Sequence, residues 1–186
     1  MKRTVKILVP ALTLALTSTA AVAHPQAGAH AHGFLDGFTH PFSGIDHLLA
    51  MLAVGVWSAR QSTGQWLPPT FVGMVMAGML AGALGMALPG LELGIALTVA
   101  ALGALIALAA RLPAAVGVAM VGAFAFLHGN AHGLELPTVP AAFGLLAASA
   151  LLVYGGRLLG RAGPALAVKF SGAGIAATGM VLAAAI

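Results

Sequence analysis

"HPFSGIDHLLAMLAVGVWSAR" covers residues 40–60, and its two halves differ in chemistry. His40, Asp46 and His47 fall within the first eight positions; the chain then runs apolar until Arg60. An uncharged run closed by a cation is the pattern of a helix that crosses lipid and stops at the inner surface. Titratable groups at the mouth of such a run are costly there, so this stretch raises the question of fold and the question of function together.

The rest of the chain answers the first question. Of 186 residues 60% are hydrophobic and 6% are charged, against roughly 25% charged in a soluble domain. Mean hydropathy is +1.03. The expected class is an all-α integral membrane protein. The net charge of +4 is spread singly between apolar segments, with no basic stripe to track phosphates, so no nucleic-acid partner is expected. The absence of cysteine excludes disulfides, thiolate metal sites and thiol catalysis. Histidines number seven against four carboxylates, an unusual balance for so apolar a chain.

Residues 1–23 read as a cleavable signal peptide. Lys2, Arg3 and Lys6 form the basic start, "ILVPALTLALTSTA" the apolar stretch, and "AVA" the small-residue cleavage pattern. A histidine-containing segment, 24–42, precedes a six-helix transmembrane domain, 43–186. Spans are expected at about 44–59, 67–88, 93–110, 113–132, 139–156 and 167–186, close to the roughly 20 residues that cross a bilayer core. Pro68, Pro69, Pro89, Pro113, Pro137, Pro140 and Pro164 punctuate their boundaries.

Starting outside, this alternation puts Arg60, Arg111, Arg157, Arg161 and Lys169 on the cytoplasmic side, as the positive-inside rule requires. Trp57, Trp66 and Tyr154 fall near the same boundary, where interfacial rings are expected. The same count puts every histidine beyond the leader and every carboxylate on the outer side. The expected location is the bacterial inner membrane, with both termini periplasmic after cleavage. The glycines of "GMLAG" (78–82) and "SGAGIAATG" (171–179), and the methionines Met74, Met76, Met79 and Met86, read as packing residues.

Two clusters carry the chemistry. In "FLHGNAHGLE", His128, His132 and Glu135 fall within roughly 60° of one another around a helix, so they can share one divalent cation. Gly129, Gly133 and Pro137 could loosen the helix at that point. The spacing is not the zincin HExxH, since no Glu separates the histidines. In the first cluster, Ser43 and Asp46 fit a capping box; alternatively Asp46 orients a histidine ring. If the helix begins at Ser43, no helical phase relates His40 to His47. Thirteen residues separate His47 from Arg60, about 20 Å of helix, which leaves His47 below the membrane surface. Imidazole and carboxylate without thiolate suit Ni²⁺, Co²⁺, Zn²⁺ or Cu²⁺. "HPQAGAHAH" (24–32) adds His24, His30 and His32, either as metal capture or as a plain terminus.

These two stretches, "HPFSGIDH" and "HGNAHGLE", resemble the paired signatures of the HupE/UreJ family of hydrogenase- and urease-associated nickel permeases, and the likeness in layout covers essentially the whole chain. The resemblance implies a secondary transporter importing Ni²⁺, with Co²⁺ as a second candidate, for metalloenzyme maturation. The ion is then substrate, no prosthetic group is needed, and the protein is not an enzyme. It carries the transport role onto His40, Asp46, His47, His128, His132 and Glu135, with Asn130 at a variable position. Beside it, the absence of GxxxxGK[ST] argues against ATP hydrolysis by this chain. Two rivals stay open: an intramembrane zinc hydrolase with Glu135 as general base, and a bis-histidine haem anchor with His47 facing His128 or His132. Metal selectivity, coupling ion and oligomeric state are not written in the sequence.

Overall fold

The structure, a computed structural model, describes residues 33–186; the expected signal peptide and His24, His30 and His32 lie outside them. Among the described residues there are seven α-helices and no strand: α1 (Phe34–Ser43), α2 (Ile45–Ser58), α3 (Leu67–Ala83), α4 (Leu91–Ala107), α5 (Ala114–Glu135), α6 (Val139–Ala162) and α7 (Ala165–Ala184). Three of these, α5, α6 and α7, are long and apolar enough to cross a membrane; α2, α3 and α4 are apolar but span only 14 to 17 residues.

The prolines act as the sequence predicts. Pro68 and Pro69 open α3, Pro140 opens α6, and Pro113 and Pro164 stand as the residues before α5 and α7. A missing N–H costs nothing in a first helical turn, where that donor has no partner anyway. Helix α3 stops five residues short of its expected end at 88. Its chain turns through Gly85 at φ +86°, and Met86 N–H bonds back to the Ala81 carbonyl at 3.0 Å. A backbone in that left-handed region is cheap only for glycine.

Backbone proximity, more than side-chain bulk, organises the bundle. Helix α3 packs chiefly on α5, α4 on α7, and α6 on both α1 and α2. Gly78 and Gly82 of α3 face Gly129 and Gly133 of α5. A Cβ on any of the four would strike a facing carbonyl, those of Phe126, Asn130, Val75 and Met79 respectively. Such close approach lets dispersion and weak polar contacts hold helices together where lipid supplies no hydrophobic drive. The same device joins Gly103 of α4 to the Gly172–Ala176 stretch of α7.

Between these pairs sits an apolar core that includes Met51, Val54, Trp57, Phe71, Val99, Leu102 and Val121. On α7, by contrast, only Gly172 and Gly179 are buried, while Leu166, Phe170, Met180 and Val181 stand exposed. In water that would be an unusually large apolar patch; against acyl chains it is ordinary.

One end of the bundle gathers the C-termini of α2, α4 and α6 with the N-termini of α3, α5 and α7, and polar side chains tie it together. Trp57 Nε1 donates to the Ala110 carbonyl at 3.0 Å, as Gln61 Nε2 does at 2.9 Å. Arg157 reaches the Ser58 hydroxyl at 3.0 Å and the Gly64 carbonyl at 2.5 Å, and Arg60 the Gly163 carbonyl at 2.9 Å. Trp57 is therefore a buried core residue, not the interfacial ring its position suggested; Trp66 and Tyr154 are exposed. The opposite end holds the histidines.

Candidate metal centre

Helix α5 stays helical through Glu135, so Gly129 and Gly133 do not loosen it. Instead they let α3 lie against its back. With that face closed, His128 and His132 are driven inward and are completely buried, as is Asn130. Glu135, one turn further out, is about half exposed.

Helix α2 brings His47 against this pair. Its ring centroid lies 4.3 Å from that of His132 and 5.1 Å from that of His128. His40 arrives from a separate helix: the chain bends at Gly44 (ψ 116°), which separates α1 from α2. The His40 ring then lies 5.0 Å from that of His132 and 6.4 Å from that of His47. Helical phase could not relate His40 to His47; the bend between the helices does. All six residues singled out from the sequence thus lie in one neighbourhood. Asp36 caps the start of α1 by accepting the Gly33 N–H at 2.8 Å.

Hydrogen bonds determine which ring nitrogens are free. Asp46 Oδ1 accepts both the backbone N–H of His47 and its Nδ1–H, each at 2.8 Å. A carboxylate can only accept, so His47 carries its proton on Nδ1 and leaves a bare lone pair on Nε2. Ser43 does not cap α2 in the expected box. Gly44 stands as N-cap without a side-chain cap bond, and Ser43 Oγ donates to the His40 carbonyl at 2.6 Å.

The Thr98 hydroxyl of α4 works in the same way. It donates its single proton to the Ile95 carbonyl at 2.7 Å and so accepts from His128 Nε2–H at 2.9 Å. His128 Nδ1 is left as a lone pair. Both free nitrogens, His47 Nε2 and His128 Nδ1, are buried without a hydrogen-bond partner, as are both ring nitrogens of His132.

At the mouth, Glu135 Oε2 lies 2.9 Å from His40 Nε2 and 3.9 Å from His132 Nδ1. Ligand atoms of His40, His132 and Glu135 all fall within 4.8 Å of one another. Two donors sharing an ion at bonds of about 2.0–2.2 Å sit about 3–4 Å apart, so a small contraction would close this set on a cation. Buried imidazole nitrogens without partners are expensive in an apolar interior, and a divalent cation is a partner that several of them can share. The same distances disfavour the haem alternative. Two imidazoles on opposite faces of an iron need their nitrogens about 4 Å apart, with bonds near 2 Å, and their centroids further still. Rings centred 4.3–5.1 Å apart leave no room for a porphyrin between them.

Sequence reasoning missed two residues here. Thr98 carries no motif in the sequence, and only its partner His128 on α5 shows its role. Asn130, read as variable, holds the α3–α4 turn: its Nδ2 donates to the Met86 carbonyl at 2.7 Å and its Oδ1 accepts from Leu88 N–H at 3.4 Å.

No solved structure matches the chain. The sequence-family profile described as "HupE / UreJ protein" matches residues 12–182. The curated "Protein HupE" of Rhizobium leguminosarum bv. viciae is 47% identical over 137 residues, which are 73% of this chain and 72% of that protein. A match over nearly the whole length, joined to a close relative across most of it, means that this chain belongs to the HupE/UreJ family.

Proposed function

We propose that the protein is a six-span secondary transporter that carries Ni²⁺, with Co²⁺ as the second candidate, inward across the bacterial inner membrane to supply metalloenzyme maturation. The observation that carries this reading is the set of buried, unpartnered imidazole nitrogens on His47, His128 and His132. They adjoin a rim of His40 and Glu135 that solvent reaches.

The arrangement is graded. Glu135 and His40 are the exposed pair, His132 follows at 5.0 Å from His40, His47 lies 4.3 Å beyond, and His128 is deepest at 5.1 Å from His47. An ion could shed water in stages by exchanging ligands along this series. Imidazole binds late first-row divalent ions well, and the absence of thiolate keeps the site from trapping soft ones. Below His128 the interior is packed with Met51, Val54, Phe71 and Val121, so this conformation suits loading from the histidine end, and passage requires the core to part. With that end outside and the five cations of the other end inside, an inside-negative potential favours entry of a divalent ion by about 4.6 kcal/mol per 100 mV, twice the single-charge value of about 2.3. The orientation is consistent with a cleaved leader at 1–23 and both mature termini outside.

The test is ⁶³Ni²⁺ uptake in a bacterium lacking its own nickel permeases, comparing wild type with His47→Ala and His132→Ala at equal membrane expression. Uptake abolished in both variants is the expected result. No wild-type uptake, with expression verified, would refute nickel as substrate and direct the assay to Co²⁺ and Zn²⁺.

A further inference from the structure

At the end of the bundle opposite the histidines, a cavity of about 140 Å³ opens between α2, α4 and α7. Three of its lining residues are cations from three different segments: Arg60 after α2, Arg111 between α4 and α5, and Lys169 in α7. No carboxylate lines it. The chain has only four, Asp36, Asp46, Glu92 and Glu135, and they stand in α1, at the starts of α2 and α4 and at the end of α5, all at the far end. Among the described residues neither Arg111 nor Lys169 has a hydrogen-bond or ion-pair partner, whereas Arg60 already donates to the Gly163 carbonyl. All three cations are solvent-exposed, and with no carboxylate among them the cavity offers an anion positive charge from three separate segments.

A second space adjoins the cavity. Val56 and Val168 line both it and an adjoining apolar groove of about 320 Å³ between α2, α6 and α7. The groove climbs from there past Leu52 and Leu159 to Leu49 and Ile175. Seven helical residues separate Val56 from Leu49, a run of about 10 Å at the rise of an α-helix. α7 runs antiparallel to α2, so Val168 to Ile175 spans the same distance on the other wall.

We propose that this composite is a binding site for one anionic phospholipid. Its phosphate-bearing headgroup sits among Arg60, Arg111 and Lys169, and one acyl chain lies in the groove. Charge complementarity selects the headgroup, and the adjoining apolar groove selects a lipid over a free phosphate. The bound lipid would bridge α7 to α2, a pair that touches little directly, and so fasten the least buried helix to the bundle. The site depends on the chain residing in a membrane but not on what it transports.

The test is native mass spectrometry of the full chain released from detergent after exchange into mixed phosphatidylglycerol and phosphatidylcholine. The expected result is a one-to-one phosphatidylglycerol adduct that survives excess phosphatidylcholine. The doubly substituted Arg111→Gln/Lys169→Gln should retain it about 30-fold less well, given the roughly tenfold effect of each 1.4 kcal/mol and the contribution of each basic residue near an anionic surface. Ala167→Phe, which fills the groove without changing charge, should also lose it, and Arg161→Gln, outside the cavity, should not. Equal retention of the two lipids, retention unchanged by both the double substitution and Ala167→Phe, or a dimer that Ala167→Phe dissociates would each overturn the proposal; the last would assign the groove to a second copy of the chain.

Discussion

Thr98→Val is the most informative single substitution, because it removes one oxygen and almost no volume. Thr98 is buried at 3% exposure, and its hydroxyl accepts the Nε2–H of the fully buried His128 at 2.9 Å. With valine there, His128 either keeps its tautomer and buries an unpaired N–H, or moves the proton to Nδ1 and loses the lone pair that faces the cluster. A neutral hydrogen bond contributes about 1 kcal/mol net, and a buried donor left unpaired costs up to about 3. Whichever route is taken, the metal-competent tautomer is disfavoured by about 1–3 kcal/mol, or roughly 5- to 150-fold in affinity at 1.4 kcal/mol per decade. Removing a partner that orients a ligand histidine typically costs 10–100-fold, which agrees. The assay is Ni²⁺ titration of the purified protein by calorimetry, with Thr98→Ser as the rescue, since serine keeps the hydroxyl. Affinity in Thr98→Val within twofold of wild type would refute the tautomer argument.

Asp46→Asn should behave similarly at the other ring. The amide oxygen can still accept a hydrogen bond, but the negative charge supporting the His47 imidazole is gone, so Ni²⁺ affinity should fall about 10- to 100-fold with little change in thermal stability; a folding defect with intact affinity would mean that Asp46 is a cap after all. Gly133→Ala places a methyl group against the Met79 carbonyl and should lower stability by about 1–3 kcal/mol, as overpacking does, read as a lower unfolding midpoint in detergent. Ala109 sits at φ +51°, a left-handed conformation that costs an L-residue about 1–2 kcal/mol. Ala109→Gly relieves this and gives back about 0.4–1 kcal/mol through the unfolded chain, so the variant should be equal to wild type or up to about 1.6 kcal/mol more stable; a clear loss would show the strain argument to be wrong there.

How much of this was legible beforehand follows from which interactions are local. The prolines marked helix starts because their effect acts within one turn, and Pro68, Pro140 and Pro164 lie where they were expected to act. His128, His132 and Glu135 could be grouped because one helix carries all three. His40 could not be joined to them by any periodicity, because Gly44 breaks the helix between it and His47. Helix α1 itself was hidden by Gly37 and Pro41 within ten residues, both poor helix formers, and Gly37 is buried where a Cβ would collide with the Ala141 carbonyl of α6. The bonds that tie Thr98 and Asn130 to the site and its neighbouring turn reach partners 30 and more than 40 positions away, and no local pattern reveals such pairs. The choice between capping and ring orientation for Asp46 was open in the sequence because both uses need a carboxylate at that position.

The most direct measurement is nickel K-edge X-ray absorption on the purified, Ni²⁺-loaded protein. Since the buried unpartnered nitrogens belong to His47, His128 and His132, the account predicts a nitrogen-rich shell near 2 Å with clear imidazole outer-shell scattering, weakened by His47→Ala and by His128→Ala. An oxygen-dominated shell without imidazole scattering, unchanged by either substitution, would contradict it and place the metal outside the histidine cluster.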